Sequence, residues 1–219
     1  MAERPCPACG AAVQFRSAAP YAVCPYCQSL LVRRDASLES IGRVAEVPDD
    51  FSPLQLNVSG IFEGVRFTLI GRLRKAWDLG SWSEWCAQFD DQRLGWLAEA
   101  QGDLVMTFER PVSAIAPAQS IAALKKAVLG DSYAIDKRRF TVTDVKSVVC
   151  LGAEGELASG PPPPRGAGMK SIDVRGPGPE FGTLEVDDRG ISVFTGRYVE
   201  FAECRFSGLR ALDGWKPPG

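Results

Sequence analysis

Four cysteines in the first 27 residues, Cys6-Pro-Ala-Cys9-Gly10 and Cys24-Pro-Tyr-Cys27-Gln28, form two Cys-x-x-Cys knuckles with fourteen residues between them. Each knuckle lets two thiolates approach one cation at about 2.3 Å, and two knuckles complete the closed tetrahedron of a structural Zn²⁺ site. Residues 1–34 therefore read as a zinc ribbon. The gap accommodates a β-hairpin, with Ala12 to Phe15 running outward, Ser17 to Pro20 as the turn and Tyr21 to Val23 returning. Gly10 supplies a permissive backbone after the first pair, and Leu30 to Val32 offer a third strand. About thirty residues cannot bury enough surface to fold alone, so the metal acts as a staple.

A disulfide pair or a redox Cys-x-x-Cys would use the same residues. Neither suits the context, because Met1 to Pro5 is followed by no secretory apolar run and no stretch reaches the ~18 apolar residues of a membrane helix, so a reducing cytoplasm is the expected location. Rubredoxin-like iron remains the alternative metal, since S₄ tetrahedra suit both. Four thiolates on a divalent ion leave a net charge of about minus two, which Arg4, Arg16, Arg33 and Arg34 are placed to offset.

The chain contains no histidine among its 219 residues. That removes Ser-His and Cys-His nucleophile pairs, mixed Cys/His zinc sites and His-ligated haem. A non-enzymatic protein is the expectation. The formal net charge of −2 argues against a nucleic-acid protein, whose binding domain is usually strongly basic.

Beyond the ribbon, residues 35–53 read as a linker ending in Val47-Pro-Asp-Asp-Phe-Ser-Pro53, and the rest reads as mainly β. Short strand candidates run from Leu54 to Ile61, Val65 to Leu73, Ser83 to Phe89, Gly95 to Ala100 and Leu104 to Glu109. A second set covers Tyr133 to Ile135, Arg139 to Val145, Ser147 to Leu151, Ser171 to Val174, Gly182 to Val186, Ile191 to Phe194 and Val199 to Phe206. Val65-Arg-Phe-Thr-Leu69 matches Arg138-Arg-Phe-Thr-Val142 at an offset of 73, and Phe89-Asp-Asp91 matches Val186-Asp-Asp188 at 97, which points to a duplicated antiparallel meander or small barrel with 24 residues inserted in the second copy. On this reading 54–113 is the first β unit and 131–219 the second, with a Pro-rich loop at 155–168. Residues 114–130 connect them through a helix capped by Ser120, with Ile121, Leu124 and Val128 on one face and Gly130 as terminator.

Trp77, Trp82, Trp85 and Trp96 cluster beside Phe62, Phe67 and Phe89. As a contact surface, Trp82 and Glu84 share one side of a strand, with Trp85 opposite, and a cationic ligand suits that pair. As core, the same rings fill and rim a small barrel. Phe15 and Tyr21 on the ribbon hairpin are the other candidate contacts. The charged runs Arg72-Leu-Arg74-Lys75 and Lys137-Arg-Arg139 read as solvated strand edges, and Cys86, Cys150 and Cys204 as buried small hydrophobes.

Several of these segments occur together: Ile41-Gly42 to Pro53-Leu54, Gly60-x-Phe-Glu-Gly64, Phe67-Thr-Leu-Ile-Gly71-Arg72, Trp82-Ser-Glu-Trp85, Gly95-Trp-Leu-Ala-Glu99, Asp173-Val-Arg-Gly-Pro177, Phe181-Gly-Thr-Leu184 and Phe194-Thr-Gly-Arg-Tyr-Val199. In these, nearly the whole chain resembles the uncharacterised bacterial DUF4178 family. The resemblance carries no catalytic residues. It implies a context, since similar proteins tend to be encoded beside phage-shock-type membrane-remodelling proteins, small membrane proteins and polyamine-synthesis-like enzymes. The expected role is a soluble adaptor with protein partners, membrane-associated ones included, in an envelope-stress or polyamine-linked system. The alternatives are a nucleic-acid-binding ribbon protein, which would show a steep salt dependence, and a carboxylate enzyme using Glu84, Asp90 and Asp91.

Overall fold

The computed structural model describes residues 3–34, 37–48, 50–162 and 167–216. Part of the Pro-rich loop expected at 155–168 lies outside them. The chain is mainly β. Its strands are β1 Glu3–Pro5, β2 Ala12–Gln14, β3 Tyr21–Val23, β4 Ser29–Arg34, β5 Ser37–Arg43, β6 Ser59–Phe62, β7 Val65–Trp77, β8 Gly80–Phe89, β9 Leu94–Ala100, β10 Asp103–Arg110, β11 Ile115–Ala116, β12 Ser132–Ile135, β13 Arg138–Leu157, β14 Gly168–Arg175, β15 Glu180–Val186 and β16 Ile191–Val199.

Eight of these close into a ring. The order β7-β8-β9-β10-β16-β15-β14-β13 returns to β7, and every pairing is antiparallel. Closure depends on the long β13, which pairs with β14 over Thr141 to Val149 and with β7 from Val149 to Gly155. The crossing of β7 and β13 brings the backbones so close that a Cβ on Gly71 would overlap the Glu156 carbonyl, and Gly155 facing it adopts φ +70°. Only glycine fits that pair.

A bulge between Leu69 and Gly71 reverses the alternation of β7. Phe67 and Leu69 consequently face outward and Leu73, Lys75 and Trp77 inward. The outer face of β7 to β10 carries one apolar cluster, with Trp85, Phe89, Leu97 and Met106, covered by Leu54, Val58 and the C-terminal Phe201, Phe206 and Leu209. The outer face of β13 to β16 carries a second, with Phe140, Ile172, Val174, Leu184 and Val193, covered by Ile115, Leu124 and Tyr133. Each half is thus cored on its outside, which leaves the ring interior free of the main cores.

The ribbon closes one end of that interior. Its Ala19, Val23 and Leu30 pack with Leu73, Cys86, Trp96, Ala153, Leu157 and Phe194. Strand β3 adds onto the end of β13, Tyr21 opposite Leu157 and Ala22 opposite Glu156. The buried Glu156 carboxylate accepts the Arg16 amide at 2.6 Å, the Ser17 amide at 3.1 Å and the Ser17 hydroxyl at 2.6 Å. Charge-assisted bonds of that kind fix the docking angle.

Several local expectations change. The ribbon has no β2–β3 hairpin; β2 pairs with β1 and β3 with β4, because each knuckle is itself the turn of its own hairpin. Part of the expected linker is strand β5, which pairs with β4. The connecting helix shrinks to one turn, Ile121–Leu124; Ser120 caps it as expected, but Val128 is exposed because the chain has already left the helix, and Ala127 is buried instead. Residues 201–205 form turns rather than a strand, and the candidates 139–145 and 147–151 are one strand. Arg72 and Lys75 are buried rather than solvated. The matched segments at 65–69 and 138–142 open the second strand of each five-strand run. The two Asp-Asp turns join β8 to β9 and β15 to β16, so they occupy different places in strand order.

Candidate metal centre and barrel chamber

The four ribbon thiols converge. Cys6, Cys9, Cys24 and Cys27 have Sγ atoms all within 4.8 Å of one another. The Cys6–Cys27 and Cys9–Cys24 separations are both 3.8 Å, the edge length of a tetrahedron with metal–sulfur bonds of about 2.3 Å. The knuckles are built alike. Cys6 N donates to Ala11 O and Gly10 N to Cys6 O, just as Cys24 N donates to Ser29 O and Gln28 N to Cys24 O. The residue after each second cysteine is left-handed, Gly10 at φ +77° and Gln28 at φ +59°. The Ser29 hydroxyl lies 3.2 Å from Cys27 Sγ. The donor set therefore fits a closed metal site with no coordination position left for a substrate.

Three of the four expected charge partners are engaged elsewhere. Arg16 bonds Asn57, Arg33 lies over the Phe15 ring and donates to Ser17 O, and Arg34 pairs with Glu39. Arg43 reaches a knuckle, donating to Cys27 O at 3.0 Å.

A second site lies inside the barrel. A chamber of about 330 Å³ is walled by residues of all eight ring strands, among them Trp77, Trp82, Glu84, Trp96, Val105, Lys146, Asp173, Glu185, Phe194 and Tyr198. Trp96 and Phe194 also belong to the cluster packed on the ribbon, so they form the floor. Trp77 and Trp82, 5.6 Å apart, stand on either side of the β7–β8 turn.

Charges in this wall are dense. Buried Lys75 lies 2.7 Å from Glu84 and also pairs with Glu185. Trp82 Nε1 donates to Glu84 Oε1 at 3.0 Å. Lys146 pairs with Asp144 and lies 3.8 Å from Asp173, with its ammonium 5.6 Å over the Trp77 ring. Burial pushes the Asp173 carboxyl up to about 6 despite Lys146, and burial also raises Glu185. Burial alone would lower Lys75, but Glu185 and Glu84 outweigh it and hold the ammonium charged.

The family model for the domain of unknown function DUF4178 matches residues 55–201. The chain belongs to the DUF4178 family. No curated protein and no solved structure matches it. The DUF4178 span contains the whole chamber, from Trp77 to Tyr198, whereas the four cysteines lie outside it.

Of the aromatic candidates, Trp82 and Glu84 face the DUF4178 chamber, sharing a side as their spacing requires. Trp85 is fully buried in the outer core, under the Arg72 guanidinium at 4.4 Å, and Phe15 is buried inside the ribbon; neither can touch a partner. Tyr21 is half-buried against the barrel. Asp90 and Asp91 sit on an exposed turn, Asp91 paired with Arg93, and do not join Glu84. Sequence reading missed Lys75, Asp144, Lys146, Asp173 and Glu185, although Ser171/Asp173 and Thr183/Glu185 carry a polar alternation on β14 and β15. A larger concavity of about 870 Å³ lies between ribbon and barrel. Its central Asp50 is already ligated by Arg72, Arg74 and Arg210, so its charge is spent internally.

Proposed function

We propose that this chain is a non-enzymatic binding protein, an adaptor in which a ribbon carrying structural zinc plugs one end of a β-barrel and a small ligand enters the other. One observation carries the reading: a closed eight-strand ring whose cores lie on its outer faces and whose interior holds a chamber of ligand size. Cys6, Cys9, Cys24 and Cys27 would hold the zinc, which supplies a cross-link between the two knuckles. The adaptor element draws on Leu79, 84% exposed on the turn between Trp77 and Trp82, where a protein partner would lie beside the chamber mouth. An envelope-stress or polyamine-linked assembly is the setting the family resemblance suggests.

The test is a thermal-shift screen of a small-molecule library against the metal-loaded protein and Ala98→Phe, which projects a ring into the chamber. Compounds that stabilise the parent protein and not the variant support the reading. A library without hits, or hits that stabilise both equally, would remove the chamber as the working site.

Asp173 favours a second reading. A half-buried carboxyl held near 6 suits a general acid, so turnover of a chamber ligand that vanished in Asp173→Asn would make the protein a carboxylate enzyme.

A further inference from the structure

We propose that the chamber binds a small organic cation, an ammonium group carried on a short apolar body. This rests on the chamber being the working site. Five carboxylates contribute to it, Glu84, Asp103, Asp144, Asp173 and Glu185, against two ammonium groups, Lys75 and Lys146. Lys75 serves both Glu84 and Glu185 and Lys146 serves both Asp144 and Asp173, so each lysine leaves one carboxylate charge in the wall unbalanced; Asp103, which is exposed to solvent, has no ion pair among the described residues. Arg175, stacked over Tyr198 at 4.0 Å, adds one more positive charge near the wall and leaves the balance negative. Uncompensated charge in a partly dehydrated site is costly, and a bound cation relieves it. A neutral or anionic guest would leave it in place or worsen it.

The rest of the wall selects the kind of cation. Trp77, Trp82, Trp96, Phe181, Phe194 and Tyr198 present aromatic surface, whose π faces attract ammonium groups and cover apolar stems. The protein already uses this arrangement on itself, since the Lys146 ammonium sits over Trp77 while pairing with carboxylates. A bare divalent metal is a poorer guest. Glu84 and Glu185 are committed to Lys75, and indole and phenyl walls offer no oxygen ligands. The chamber of about 330 Å³ equals the volume of about eleven liquid waters at about 30 Å³ each, room for a small organic cation.

Isothermal titration of the metal-loaded protein at pH 7.5 tests this with two matched pairs: choline against 3,3-dimethylbutan-1-ol, and 1,4-diaminobutane against butane-1,4-diol. We expect at least one cation to bind 1:1 and about tenfold or more tighter than its neutral partner. Which one binds separates a quaternary from a primary ammonium ligand. Asp173→Asn and Trp82→Leu should each weaken that binding by about tenfold with little change in melting temperature. Equal binding of cation and neutral partner would overturn the inference while leaving the chamber a ligand site. Absence of binding by both cations would overturn it as well, and only a library screen that also found no chamber ligand would take the broader reading with it.

Discussion

Lys75 Nζ lies 2.7 Å from Glu84 Oε2 inside the barrel wall, with only 2% of the lysine side chain exposed. The same ammonium pairs with Glu185, so one buried cation fastens β7 to β8 and reaches across the interior to β15. The chamber's walls are therefore held by an ionic contact as well as by the backbone ladder.

Removing that cation should be expensive. Lys75→Met keeps the stem but leaves two carboxylates facing each other, and we expect a loss of about 3–5 kcal/mol in urea unfolding. A change under about 1 kcal/mol would mean that the carboxylates are solvated through the mouth.

The two neighbouring tryptophans should behave differently. Trp85→Ala removes a fully buried ring whose Nε1 donates to Glu99, and should cost about 3–5 kcal/mol. Trp82→Leu, at the half-open mouth, should cost about 1 kcal/mol or less and show itself in ligand binding. Equal losses in chemical denaturation would put Trp82 in the core.

Asp173 gives a pH signature. It faces Asp144 and Lys146 on β13, Thr183 and Glu185 on β15 and Glu84 on β8. Its folded pKa of about 6 stands above its unfolded value, so the folded protein takes up the proton first. This group's contribution to stability therefore rises as pH falls from about 7 toward 4 and is absent above that window. Asp173→Asn should abolish that part of the slope, measured as the difference between the two proteins' stability curves. Cation affinity should move the other way, weakening below about pH 6 as Asp173 protonates. A pH-independent affinity between 5 and 7.5 would contradict the charge assignment.

Metal removal tests the ribbon. Cys6 and Cys24 are buried in the ribbon, and Cys86, Cys150 and Cys204 are buried in the barrel. The ribbon depends on its metal as a staple, so a chelator should open the knuckles and release four fast-reacting thiols, scored with a thiol reagent, while the barrel cysteines stay slow, and should lower the melting temperature because Ala19, Val23 and Leu30 no longer seal the barrel floor. Seven reactive thiols at once would show that ribbon and barrel unfold as one unit.

Local chemistry was legible in the sequence and closure was not. The knuckles, the mainly β class and the pairing of Trp82 with Glu84 on one face follow from spacing alone, because each is set by neighbours within a few residues. The chamber exists only because β7 meets β13 and β10 meets β16, contacts between residues 73 to 95 positions apart. That is why Lys75 looked like a solvated edge residue; nothing near it in sequence announces Glu185. Trp85 and Trp82 look equivalent in sequence, and the inward or outward side of β8 became known only with the barrel. Val128 follows the helical period, yet the helix ends at Leu124 and leaves it exposed.

The most direct measurement follows the five tryptophan indole N–H signals by NMR while the preferred cation is titrated into the metal-loaded protein. We expect saturable shifts at Trp77, Trp82 and Trp96, which line the chamber, with Trp85 and Trp215 nearly still. Shifts spread evenly over all five, or confined to Trp215 at the far C-terminal surface, would contradict a ligand site inside the barrel.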